Sequence, residues 1–234
     1  MKIGIIGAGH IGGTLTRRFS ALGHDVSVAN SRGPETLAAL ASETGATAVP
    51  VTEAARGAEV VVVTIPVKNV PGLPAGLLSG AAKGAVVIDT GNYYPQQRDG
   101  RIKPIEDGMT ESRWVEQQLG HPVVKVFNNI YADHLLKRGR PAGTAGRIAL
   151  PVAGDDKAAK AVVVRLLDQL GFDAIDAGGL DESWRQQPGT PVYGADLDAE
   201  GVRRALSQAS SERTAQWRAA PGSRAREGAT PRRS

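Results

Sequence analysis

Apolar positions fall along this chain in short β-branched runs, separated by stretches with helical spacing, the alternation that builds a parallel sheet covered by helices. The first run, Ile3-Gly4-Ile5-Ile6, predicts a buried strand; it leads through Gly7-Ala8-Gly9-His10-Ile11-Gly12 into a helix-like stretch over residues 13–22. Residues 24–29 read as a second strand, and residues 35–44 place Leu37, Ala38, Leu40 and Ala41 at helical spacing before Gly45. Residues 60–65 are almost wholly apolar and β-branched, as expected of a strand buried on both faces. Residues 85–89, 123–127, 147–152 and 172–176 continue the strand series. Helices are expected over 110–119 with Trp114, Val115 and Leu119 inward, from a cap at Asp155 or Asp156 to Leu170, and over 198–207. No repeat or clear linker interrupts the pattern. The expected fold is α/β: a Rossmann-type, doubly wound, mainly parallel sheet, continuous over residues 1–205, with residues from about 150 forming a small C-terminal lobe over the strand ends.

Strand, glycine turn and helix form the context in which G-x-G-x-x-G points to a dinucleotide. Gly7 permits the tight turn, Gly9 lets a pyrophosphate approach the backbone, and Gly12 lets the helix pack on the strand. His10 and Ile11 begin the helix whose N-terminal dipole faces the phosphates, and His10 is placed to touch the pyrophosphate or riboside. The second strand ends in Asn30-Ser31-Arg32, with no acid where an NAD site holds Asp or Glu for the ribose 2′-hydroxyl. Ser31 can donate to a 2′-phosphate and Arg32 can pair with it, which predicts NADP(H); the competing account makes Arg32 an ordinary solvated loop residue.

Ligands of doubly wound sheets bind outside the carboxyl ends of the strands. Thr64, Ile65 and Pro66 sit at such an end and are expected to wall the cofactor, unless that loop is purely structural. Asn92 can hydrogen-bond the cofactor or acceptor, and Tyr93 or Tyr94 can stack on a ring or simply pack on the surface. Asn128, Asn129 and Ile130 suit a nicotinamide or flat heterocycle, though asparagines also form turns. His134 can supply a proton or contact the acceptor, or be a surface histidine near a helix start. No Ser-Tyr-Lys or His-Asp constellation stands at a recognisable spacing, so no catalytic residue is assigned.

Composition narrows the partners. The chain has no cysteine, which excludes disulfides, thiolate zinc sites, iron–sulfur clusters and a cysteine nucleophile, and its four histidines are scattered without metal-ligand spacing. Residues 201–234 hold eight arginines against two glutamates, a net of +6, so that residues 1–200 carry about −2. The folded body is therefore not basic, nucleic acid is not an expected partner, and residues 219–234 are expected to be a disordered basic tail. No apolar stretch is long enough to cross a bilayer. The glycine turn occupies the place of a signal peptide, so the cytoplasm is the expected location. The apolar run over residues 158–167 looks buried nearly all round; either a homodimer or the C-terminal lobe would cover it.

The chain resembles the NADP oxidoreductases that use the deazaflavin coenzyme F420. The likeness is carried by Lys2-Ile3-Gly4-Ile5-Ile6-Gly7-Ala8-Gly9-His10-Ile11-Gly12, by Gly23-His24-Asp25-Val26 running to Asn30-Ser31-Arg32-Gly33-Pro34, and by Thr64-Ile65-Pro66. Lys125-Val126-Phe127-Asn128-Asn129, and Val152 to Asp156 running to Asp176-Ala177-Gly178, extend it over roughly residues 1–205. The chain is also similar to the cytosolic dinucleotide domain of the STEAP ferrireductases, above all at residues 125–129. The resemblance implies NADP at the glycine turn, its 2′-phosphate at Ser31 and Arg32, and an isoalloxazine-like ring near Ile65, Pro66 and Asn128 to Ile130. It implies hydride transfer between NADPH and a deazaflavin. The loop Asn92-Tyr93-Tyr94-Pro95 and the segment Trp184 to Gly189 depart from the family, leaving FMN, FAD or a small imine or carbonyl as alternative acceptors. A non-catalytic NADPH-binding sensor is the reading from another class.

Overall fold

The structure, a computed structural model, describes residues 1–220. Strand β1 (Lys2–Ile6) passes through the glycine turn into helix α1 (His10–Ala21), and β2 (Asp25–Ala29) follows. Next come α2 (Ala38–Thr44), the two-residue β3 (Thr47–Ala48), β4 (Val60–Val63) and β5 (Val86–Asp89). The short α3 (Lys103–Glu106) and α4 (Glu111–Leu119) precede β6 (Val123–Lys125) and α5 (Ala132–Lys137). The chain continues through β7 (Ala149–Val152), α6 (Lys157–Leu170), β8 (Asp173–Asp176) and α7 (Ala199–Ser207). Strands β1 to β6 form one parallel sheet in the order β3-β2-β1-β4-β5-β6, the doubly wound arrangement of a Rossmann fold.

Successive side chains on each strand point to opposite faces. Ile3, Ile5, Val60, Val62, Ile88 and Val124 meet α1 at Leu15 and Phe19, and α6 at Val163, Leu166, Leu167 and Leu170. On the other face Ile6, Val61, Val63, Val87 and Val123 meet Ala54, Ala55, Ala58 and Leu180. Each fully buried Val, Ile or Leu stabilises the fold by about 1.5–3 kcal/mol over its exposed state. This two-sided burial accounts for the near-continuous apolar runs in the strands.

The expectation of one continuous sheet is corrected. β7 and β8 form a separate parallel pair, joined to the main sheet by a single antiparallel bridge between Lys125 and Ala153. The expected strand over 123–127 stops at Lys125, and Phe127, wholly buried, has a positive φ of 65°. The β6 ladder thus ends two residues before Phe127. The apolar run on α6 is likewise not buried all round: Ala158, Ala161 and Val164 are exposed, while the opposite face joins the main core. Of the expected basic tail, residues 221–234 lie outside the described residues, whereas the Ala219 N–H donates to Glu106 Oε1 at 2.9 Å. Among the described residues no helix is long and apolar enough to cross a membrane.

Gly4, in the middle of β1, lies under the segment that follows β3: a Cβ there would stand 2.0 Å from the Ala54 carbonyl oxygen. Gly4→Ala should therefore destabilise the protein by about 1–3 kcal/mol, the usual cost of overpacking. A urea denaturation midpoint lowered at unchanged slope is the expected reading.

Candidate functional site

A cleft of about 1360 Å³ opens at the carboxyl ends of β1, β2 and β4. Its floor is the glycine turn. Gly7 has φ +109°, and a Cβ on it would sit 2.3 Å from the Thr64 carbonyl oxygen. Gly12 packs more closely still, its missing Cβ lying 1.9 Å from Gly7 O and 2.7 Å from Thr64 Cγ2. Gly9 differs, for nothing lies within 4 Å of the place its Cβ would take. Gly9 is the residue preceding α1, no side chain caps that helix, and its first turn contains no acid. A positive helix end beside an open glycine is a cradle for a phosphate group.

One rim of the cleft is Asn30, Ser31 and Arg32. Asn30 shapes this loop, its Oδ1 accepting the Arg32 N–H at 2.9 Å while its amide donates to Thr36 Oγ1 at 2.9 Å. The Arg32 guanidinium makes no hydrogen bond or ion pair with any described residue. Thr64, Ile65 and Pro66 line the wall, continued by Pro71 and Leu73. Beyond them Lys68, Asp99, Ile102, Lys103, Trp114 and Gln118 close the cleft. Lys68 Nζ donates to the Arg98 carbonyl at 2.6 Å and has no carboxylate partner among the described residues. Asp99, a carboxylate on this wall, is held by Arg98 at 3.0 Å and by the Tyr94 N–H at 2.8 Å. The cleft thus presents two uncompensated cations, Arg32 and Lys68, along a largely apolar wall.

Of the residues expected from sequence to bind the cofactor, Gly7, Gly9, Asn30, Ser31, Arg32, Thr64, Ile65 and Pro66 line this cleft. Gly12 lies beneath it as a packing residue, while His10 is exposed on the first turn of α1 and Ile11 packs against the core. The residues expected on the acceptor side do not line it. Tyr93 is corrected: it is wholly buried, its hydroxyl 2.8 Å from Gly100 O and 2.9 Å from Glu106 Oε1 and accepting the Ile102 N–H. Burial pushes its phenol well above the ordinary tyrosine range. Ile130, 6% exposed, belongs to the main core and is corrected likewise.

The Asn92 and Asn128 amides are spent on each other. Asn92 Nδ2 donates to Asn128 O at 2.7 Å, Asn128 Nδ2 to Asn92 Oδ1 at 3.0 Å and to Gln186 O at 2.7 Å, and Gln186 Nε2 to Asn128 Oδ1 at 2.9 Å. They tie the loops after β5 and β6 to the 180–187 segment. His134 stands 2.8 Å from Asp196, which also pairs with Arg138. Asn129 is different again: 2% exposed, with neither amide atom bonded. A buried amide without partners costs about 1–3 kcal/mol, so it fits a group that a ligand completes.

The sequence reading missed the far wall and a buried charge cluster. Asp99 to Pro104 follow no apolar period and gave no signal. The cluster did leave one, since Asp89 closes an apolar strand and Lys125 interrupts another. In the sheet these two are cross-strand neighbours. Lys125 Nζ lies 3.5 Å from Asp89 and 3.6 Å from Glu111 and donates to Gly91 O at 2.6 Å. Among the described residues no group of acidic, histidine or cysteine side chains is arranged to hold a metal.

A doubly wound sheet whose glycine turn opens on a cleft at the strand ends defines the class of dinucleotide-binding oxidoreductases. Residues 2–93 match the family model described as NADP oxidoreductase, coenzyme F420-dependent. The structure is similar to that of the protein SMa0349 from Sinorhizobium meliloti: 29% identity, TM-score 0.71, covering 84% of this chain and 95% of that one. It is also similar to a candidate F420-dependent NADP reductase from Arthrobacter sp. FB24, at 27% identity and TM-score 0.62, covering 76% of this chain and 85% of that one. The Escherichia coli (strain K12) protein YjhV is 47% identical over 66 residues, 28% of this chain, and the match spans about half, 48%, of that relative.

The two central glycines separate folding from binding. Gly12→Ala should lower the thermal midpoint, because the added methyl would collide with the Gly7 carbonyl and with Thr64 Cγ2. Gly9→Ala should leave the midpoint unchanged yet weaken NADPH at least roughly tenfold, a loss of about 1.4 kcal/mol, in a fluorescence titration.

Proposed function

We propose that the chain is an NADP(H)-dependent oxidoreductase that passes hydride between NADPH and a deazaflavin of the coenzyme F420 type. The observation that carries the coenzyme half is the uncommitted Arg32 guanidinium beside Ser31, on a cleft rim with no acid among Asn30, Ser31 and Arg32. Arg32 and Ser31 would hold the 2′-phosphate through charge-assisted bonds of about 1.5–3 kcal/mol each. Gly9 and the N-terminal end of α1 would take the pyrophosphate, with Lys68 as a second cation along the wall. Ile65 and Pro66 would exclude water from one side of the riboside, and Asn129 would satisfy its amide on a carboxamide or ring edge. Bound NADPH supplies the hydride.

The family match over residues 2–93 and the Arthrobacter neighbour support the deazaflavin as acceptor. The chemistry of the wall agrees with it. Such a ring delocalises the incoming charge and needs no dedicated acid, and Asp99 on the wall is already tied to Arg98 and a backbone N–H. An imine or small carbonyl would instead need a proton donor facing it.

Arg32→Ala should lower the NADPH-to-NADH ratio of kcat/KM by roughly ten- to a hundredfold, in proportion to one or two lost charge-assisted bonds. An unchanged ratio contradicts the assignment. The acceptor is tested by following NADPH oxidation with F420, FMN, FAD and a set of small carbonyls and imines, where only F420 should give rapid turnover. Turnover with flavins or carbonyls alone would move the chain to the other acceptors. Binding of NADPH without oxidation by any of them would make it a sensor.

A further inference from the structure

Residues 208–219 contain little regular structure, yet they are held tightly over the loop that follows β5. Arg213, 9% exposed at its side chain, donates from Nη2 to Glu111 Oε1 at 2.7 Å and to Gln187 Oε1 at 2.8 Å. Its guanidinium carbon lies 5.4 Å from the centre of the Tyr93 ring. Further along, the Trp217 indole stands 6.0 Å from Tyr94 and 6.1 Å from Tyr193, in space left by Gly189, where a Cβ would be 2.5 Å from the indole. Gln96 Nε2 donates to Ala215 O at 2.8 Å and to Arg218 O at 3.0 Å.

The same loop is pinned from below by buried charge. Gly91 N–H donates to Asp89 Oδ1 at 2.8 Å, Gly91 O accepts from Lys125, and the Tyr93 N–H donates to Glu111 Oε2 at 3.1 Å. Ser112 Oγ adds a bond to Asp89 Oδ2 at 2.7 Å. Asp89, Glu111 and Lys125 are 2% exposed or less at their side chains. Two carboxylates face one ammonium, so the cluster is neutral only because Arg213 reaches in from the C-terminal segment. A buried charge left without its partner is strongly destabilising, and the loop bonded to it is what would move.

We propose that Arg213 is a positioning residue for the cleft: by balancing Glu111 it holds residues 91–104, which supply Asp99, Ile102, Lys103 and Pro104 to the cleft wall. The reach to coenzyme binding rests on the function proposed above; the hold on the loop does not. The C-terminal segment is thus part of the site, although Arg213 lies 95 residues beyond Gln118, the last cleft-lining residue in chain order.

The test uses the full chain with R213A, R213K and the double variant E111Q/R213A, followed by hydrogen-exchange mass spectrometry and NADPH titration. R213A should speed exchange within 91–104 roughly tenfold or more and weaken NADPH in step. R213K should stay near wild type, because the charge is retained. E111Q/R213A should recover toward wild type, since the stranded charge is gone; lost packing alone would not be rescued that way. Unchanged exchange in R213A, or a double variant as fast as R213A, overturns the proposal. Loosened exchange with unaltered NADPH affinity also overturns it as a statement about the cleft. If R213A does not fold, a folded double variant supports the proposal and an unfolded one overturns it. If the wild-type protein fails to bind NADPH, the coenzyme assignment falls while the exchange comparison still decides the hold on the loop.

Discussion

The approach of α1 to the carboxyl ends of β1 and β4 is the constraint from which the rest of the site follows. It is set where Gly12 faces Gly7 O and Thr64, with no room for even one methyl group. That approach aims the helix N-terminus across the strand ends and leaves Gly9 open to the cleft. Any side chain at Gly12 would lift the helix and move the donors off the cleft floor. Fold and binding geometry therefore share one contact, while Gly9, only three residues distant, has no packing role and is open to a ligand.

The sheet changes character along its last row. Ala29, Ile6 and Val63 are neighbours at the strand ends, and the row continues through Asp89 to Lys125. The apolar part underlies the glycine turn and the cleft. The charged part, completed by Glu111 and Arg213, fixes the loop that forms the far wall. Charge of this kind does little for net stability, because desolvation offsets the attraction. Its effect here is to specify one conformation for residues 91–93, through bonds to backbone N–H and C=O groups that would otherwise be buried without partners.

The main strands and helices were legible because two-sided burial writes itself as β-branched runs, and the glycine turn because each glycine answers a separate steric need. The place of Asn30 to Arg32 on the cleft rim was legible because they follow the carboxyl end of β2. The strand ends near Phe127 misled, since a buried aromatic residue at positive φ looks in sequence like one more strand position. Asn92, Tyr93 and Asn128 misled for a related reason: polar groups at strand ends serve loops as readily as ligands, and only the folded structure shows which bonds are already made. Lys68 and Arg213 follow no period, and their roles depend on partners distant in the chain.

Recognition of the 2′-phosphate by the Arg32 rim is the central claim. Calorimetric titration of the unmodified protein with NADP+ and NAD+ tests this most directly. NADP+ should bind at least roughly tenfold more tightly than NAD+, equivalent to one charge-assisted bond. Equal affinities, or no heat with either coenzyme, would contradict it.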